Sequence, residues 1–268
     1  MMEKIIISIG WDVGGWQGDN NAFCICELEG DRISIKSPCV IKPKEKLFDN
    51  LNNIPSFLQD EINAHPDSKI ILAVDSPLGF PVQFSELIIN SDHRFSDLKK
   101  AYSNYAFRAT DIYITEKVFE SKTSLSPSFS YLTNNVTVAI NMVRLLKSGL
   151  NKFKAYPFDV QEEGDLHSII EVYPAATLIA NKIRIEKYKG TSEDSKKRRE
   201  EILDDLNRSN EYPFDIEQAK ERGLTKIEHH FDAFICCLAA YDFLFKPRVE
   251  PEGDIAKKEG WIWAKKKL

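Results

Sequence analysis

The sequence predicts an α/β fold built on one mixed sheet, with three antiparallel strands followed by parallel ones and helices flanking them. Three observations carry this reading. Three short apolar segments fill the first 41 residues, with glycine turns between them; later apolar segments alternate with helical stretches; and a long helix near the C-terminus is apolar on almost every side.

Residues 4–11 are rich in β-branched side chains and continuously apolar, the pattern of a central strand buried on both faces. After the turn Gly14-Gly15-Trp16-Gln17-Gly18, residues 21–28 alternate. A second turn at Glu29-Gly30-Asp31 leads into 32–41, with Ile33 and Ile35 on one face, so the three segments form an antiparallel meander. A helix follows, its body starting at Pro55 with Phe57, Leu58 and Ile62 on one face, and it ends near His65-Pro66-Asp67. Residues 69–74 are a fourth strand, stopped by Asp75-Ser76-Pro77-Leu78-Gly79. The span 78–165 mixes helix-like stretches (96–107 and 136–150) with a polar loop at 121–135. Long structureless loops are rare inside compact domains, so it reads as a largely helical insertion within a single domain covering residues 1–268. Residues 168–173 resume the core as a strand, and Pro174 opens a helix at its first position. A charged helix spans 192–207, its Lys196-Lys197-Arg198-Arg199 run reading as a solvated face. The helix over 227–245 carries Phe231, Phe234, Ile235, Leu238 and Phe245 around its circumference and belongs in the core. This order of elements is that of the ribonuclease H-like fold.

Composition narrows the function. With 36 Lys+Arg against 41 Asp+Glu, the net charge is -5, unsuited to nonspecific coating of nucleic acid, which depends on neutralising phosphates. A local basic groove is compatible with that total. The five cysteines (Cys24, Cys26, Cys39, Cys236, Cys237) show no C-x-x-C pairing and read as buried thiols of a reducing compartment. The apolar start is too short for a signal peptide, and no run of about 18 apolar residues suits a membrane helix. A cytoplasmic protein without membrane association is expected.

Four acidic residues stand in apolar company. Asp12 closes the first strand, Asp75 closes the fourth, Glu171 lies inside Ile169-Ile170-Glu171-Val172-Tyr173, and Asp232 starts the apolar helix. An isolated buried carboxylate is costly, so each must be paired, hydrogen-bonded or bound to metal. With the first and fourth strands adjacent and the last helix crossing beside them, all four are expected to converge. An oxygen-only ligand set suits Mg or Mn, and two such ions can drive phosphodiester hydrolysis. Singly, each has a structural alternative: Asp12 and Asp75 as turn caps, Asp232 as a first-turn helix acid, Glu171 as partner of a buried Arg or Lys. Together they favour a site.

The chain also resembles the domain of unknown function 429 family, through Asp12-Val13-Gly14-Gly15-Trp16, Val74-Asp75-Ser76-Pro77-Leu78-Gly79, Arg108-Ala109-Thr110-Asp111, Glu171-Val172-Tyr173-Pro174-Ala175, His230-Phe231-Asp232-Ala233 and Glu259-Gly260-Trp261-Ile262. The resemblance implies an RNase H-like nuclease with Asp12, Asp75, Glu171 and Asp232 as metal-binding and catalytic residues. It implies supporting roles for Arg108 and Asp111. Arg108 is expected to face the carboxylate cleft, on a substrate phosphate or a site Asp, because guanidinium suits both. Adjacent His229 and His230 point about 100° apart on a helix, so both do not easily serve one site; a polar pair at the helix start is the simpler reading, and His230 is counted with the substrate-binding residues as the one to reach the cluster.

The expected activity is therefore metal-dependent hydrolysis of phosphodiester bonds in a nucleic acid or nucleotide substrate. The first alternative is a catalytically silent binding module of the same fold. An actin-like phosphotransferase is weaker, because only one Asp-x-Gly hairpin is present. A P-loop is unsupported without G-K-[ST] or a helix after the glycines, and a zinc site on Cys24 and Cys26 lacks further partners.

Overall fold

A computed structural model describes residues 5–15, 21–29, 32–40, 49–90, 92, 97–120, 133–149, 153–160, 167–251 and 253–266. The turn at 16–18, the Gly30-Asp31 turn, most of the 121–135 loop and the Cys39 side chain lie outside the described residues. The sheet has six strands, β1 (Ile6–Asp12), β2 (Ala22–Glu29), β3 (Arg32–Val40), β4 (Lys69–Asp75), β5 (Phe153–Tyr156) and β6 (His167–Glu171), in the order β3-β2-β1-β4-β6-β5. β1, β2 and β3 form the antiparallel meander, whereas β1 with β4, β4 with β6 and β5 with β6 are parallel. The mixed sheet flanked by helices matches the expected class and is consistent with the ribonuclease H-like fold.

Two features depart from expectation. β5 lies within the 78–165 span and completes the main sheet as an edge strand, so that span is not purely inserted. Only four residues long, it gives too short a pattern to read. Helix α1 covers Asp49–Ala64, with Pro55 inside it and not at its start. A proline in a helix interior removes one backbone donor, and here the buried Ile54 and Leu58 on either side anchor the helix to the core.

The remaining helices are α2 (Val82–Ile89), α3 (Leu98–Ala106), α4 (Ala109–Tyr113) with a π-helical turn at Ile114–Val118, α5 (Thr133–Gly149), α6 (Pro174–Ala180), α7 (Glu193–Arg208), α8 (Ile216–Glu221), α9 (Glu228–Phe245) and α10 (Ala256–Glu259). Pro174 stands at the start of α6, and Ser192 caps α7 by accepting from the Ser195 N–H, as their chemistry dictates. The α7 run is not wholly solvated. Arg199 is buried and spends its guanidinium on the carbonyls of Tyr188, Gly190 and Thr225.

Strand parity divides the core. Ile7, Ile9, Trp11, Ile70, Leu72 and Val74 pack beneath α1 and α5. The opposite face of β1, β2 and β4 lies against α9, whose Phe231 through Phe243 is buried throughout. Contact is closest at Gly10. A Cβ added there would collide with the Ala233 carbonyl oxygen and come within 2.9 Å of the Cys236 side chain. Gly10→Ala is therefore expected to lower the unfolding free energy by about 3 kcal/mol, the upper end of overpacking costs. Urea denaturation measures this, and a wild-type midpoint would contradict so tight a fit.

Candidate metal centre

Asp12 and Asp75 are the last residues of β1 and β4, and the parallel register sets them opposite each other. Both project on the α9 side, following Gly10 and Ala73 in alternation. Because α9 rides directly on Gly10 through Ala233, the preceding residue, Asp232, arrives beside the two strand ends. One oxygen from each of Asp12, Asp75 and Asp232 lies within 4.8 Å of the others. Three carboxylates thus meet on three different core elements.

The crowding shows in the protonation of Asp75 and Asp232. Burial pushes the Asp232 carboxyl up to about 6, with Asp12 adding repulsion. Asp75 is raised well above the carboxylate range, first by burial and then by Asp12. Two basic side chains answer this charge. The His229 ring sits with Nδ1 2.6 Å from Asp12 Oδ2, and that hydrogen bond raises its pKa. The Lys189 ammonium bonds Asp232 Oδ2 and lies 3.5 Å from Glu228. Asp232 Oδ1, fully buried, has no hydrogen-bond partner among the described residues. An orphaned buried carboxylate oxygen beside two further carboxylates is what a bound cation would satisfy. Hard oxygen donors of this kind suit Mg2+ or Mn2+.

The histidine expectation needs correction. It is His229, not His230, that reaches the cluster; the His230 pKa is lowered by burial and by its neighbour. On a helix His229 lies three residues before Asp232 and shares its face, whereas His230 is about 200° away from it. That spacing was legible. Lys189 was not, because Tyr188-Lys189-Gly190 is a loop with no local pattern pointing towards Asp232.

Glu171 also departs from the expected set. It stands in register with Val74, one residue out of phase with Asp75, so its side chain leaves the opposite face of the sheet. There its oxygens accept from Arg108 Nη1 at 2.8 Å and Nη2 at 2.7 Å, and Leu78 N–H donates to it at 2.9 Å. Arg108 also grips Asp111, Nη2 to Oδ1 at 2.8 Å. Only about 1% of Arg108 is accessible, so it neither faces the Asp12 cleft nor stands open to a substrate phosphate, and buried Asp111 is equally occupied. Burial would lower the guanidinium pKa; Glu171 and Asp111 outweigh it and raise it. The tail closes the knot. The Glu259 carboxylate accepts from the N–H groups of Val82 and Ala109, and Gly260, at φ 84°, passes so close to Glu171 that a Cβ would lie 2.9 Å from its Oε2.

Residues 148–245 match the family model described as Protein of unknown function (DUF429). The match contains Glu171, Lys189, His229 and Asp232. No curated protein and no solved structure matches the chain.

The two settings respond oppositely to loss of charge. Arg108→Met strands Glu171 and Asp111 and is expected to cost about 3–5 kcal/mol, the penalty for breaking a buried ion pair. Glu171→Gln should likewise destabilise, with Arg108 left short of a counter-charge. Denaturant titration checks both. A Glu171→Gln chain as stable as wild type, or more so, would return Glu171 to the crowded carboxylate set.

Proposed function

We propose, from the premise that this chain carries the DUF429 signature over 148–245, that it hydrolyses phosphodiester bonds of a nucleic acid or nucleotide with a divalent metal held by Asp12, Asp75 and Asp232. The supporting observation is the meeting of three carboxylates within 4.8 Å, with Asp232 Oδ1 buried and unpartnered. A bound Mg2+ or Mn2+ supplies Lewis acidity towards a phosphoryl oxygen and lowers the pKa of a water nucleophile. The chain's own residues do the rest. Asp12, Asp75 and Asp232 hold fixed directions because each is rooted in the sheet or in α9. His229 orients Asp12 through Nδ1, and its half-exposed ring is placed to carry a proton to a departing oxygen. Glu171, Arg108 and Asp111 brace the strand ends from the far face. In this reading the setting is cytoplasmic, with Cys24, Cys26, Cys236 and Cys237 buried and in no disulfide. No described helix is long and apolar enough to cross a membrane.

One observation favours the silent binding module. Lys189 already neutralises part of the Asp232 charge, so the acidic cluster has a partner without metal. Asp12→Asn separates the two readings, because it keeps the shape and the hydrogen bond to His229 while removing one repelling charge. Metal-dependent cleavage of labelled single- and double-stranded substrates with Mn2+ is expected to vanish, while the metal-free variant is as stable as wild type or more so. A variant that still cleaves, yet unfolds about 0.5–2 kcal/mol more easily, would make Asp12 a cap and end the metal-site reading.

A further inference from the structure

Resting on that reading, the distribution of carboxylate oxygens bears on how many cations the site holds. Asp12 Oδ2 is taken by His229 and Asp232 Oδ2 by Lys189. That leaves one oxygen on each of these, together with the Asp75 carboxylate. A pair of cations about 3.5–4 Å apart needs a carboxylate bridging with both oxygens and a further acid on the outer side. Asp12, at the end of the central strand, has only one oxygen to give, so of the three only Asp75 offers both oxygens, and the outer position decides how many cations are held. Glu171, the acid that could have served the outer position, is turned to the other face and locked on Arg108.

A cation already stands on the outer side of Asp232. Lys189 lies between Asp232 and Glu228, with its side chain 53% exposed. Its loop is held for that task. Arg199 donates to the carbonyls of Tyr188 at 2.7 Å and Gly190 at 2.9 Å, immediately before and after Lys189, and Gly190 N–H donates to Glu228. A buried guanidinium spent on the two carbonyls flanking one lysine fixes where that lysine begins.

We propose that the site takes a single divalent cation and that the Lys189 ammonium occupies the place of a second. Mn2+ alone is the probe, titrated calorimetrically into the full metal-free chain and its variants, with circular dichroism as the check on folding. Wild type is expected to bind one Mn2+ per chain. Lys189→Met frees Asp232 Oδ2 and Glu228 and is expected to gain a second, weaker Mn2+; Lys189→Gln serves equally should the Met variant fold poorly. Lys189→Arg restores the charge and is expected to return the count to one. Two Mn2+ in wild type would overturn the inference while leaving the metal centre standing, as would neutral variants with the wild-type isotherm. No Mn2+ binding in wild type would instead remove the metal centre itself, and this inference with it.

Discussion

The absence of a side chain at Gly10 lets α9 lie directly on the middle of the sheet, and the candidate site depends on that contact. β1 and β4 alone would put two aspartates side by side at adjacent strand ends. Only because Ala233 sits over Gly10 does the preceding residue of α9, Asp232, add a third carboxylate to them. The geometry is therefore set by backbone packing in the core and not by a surface loop, which is the kind of support a site needs to hold like charges close together. The cost of that closeness appears as raised carboxyl pKa values at Asp75 and Asp232, offset in part by His229 and Lys189.

The short motifs spread along the chain sort into two structural groups. Asp12, Asp75 and the Asp232 segment build the carboxylate cluster on the α9 face. Arg108-Ala109-Thr110-Asp111, Leu78, Glu171 and Glu259-Gly260-Trp261-Ile262 build a buried ion-pair knot on the other face, where Thr110 Oγ1 also accepts from Ile262 N–H. Glu171 on β6 accepts from Leu78 N–H, three residues past the end of β4, so the knot ties down the strand end from which Asp75 projects. A buried pair such as Arg108–Glu171 is weak evidence for net stability, yet breaking it leaves an uncompensated charge, so its role here is positional.

Much of this was legible in the sequence for physical reasons. Continuous apolar runs and glycine turns marked β1 to β4, and the all-round apolar character of 227–245 placed α9 in the core. The aspartates at the strand ends were legible because charge at the end of a buried strand requires a partner. Glu171 was misplaced although strand parity could have been counted: it stands opposite Val74, not Asp75, and the alternative of a buried Arg partner is the one the structure shows. His229 was recoverable from helical spacing. Lys189 and Arg199 were not, since one acts from a loop and the other bonds only backbone carbonyls, and neither leaves a periodic trace. Pro55 misled because proline is commonest at helix starts, whereas here packing of Ile54 and Leu58 carries the helix through it.

The central claim is that the three aspartates are crowded in order to hold a cation, and linkage between metal binding and folding tests it most directly. Chemical denaturation of the metal-free chain at pH 7, repeated with millimolar Mn2+, compares the two states without reference to any substrate. A cation that binds the folded cluster and not the unfolded chain adds about 2.7 kcal/mol when present at 100 times its dissociation constant. The account predicts an increase of that order, carried by Asp12, Asp75 and Asp232. An identical unfolding curve with and without Mn2+ would contradict it.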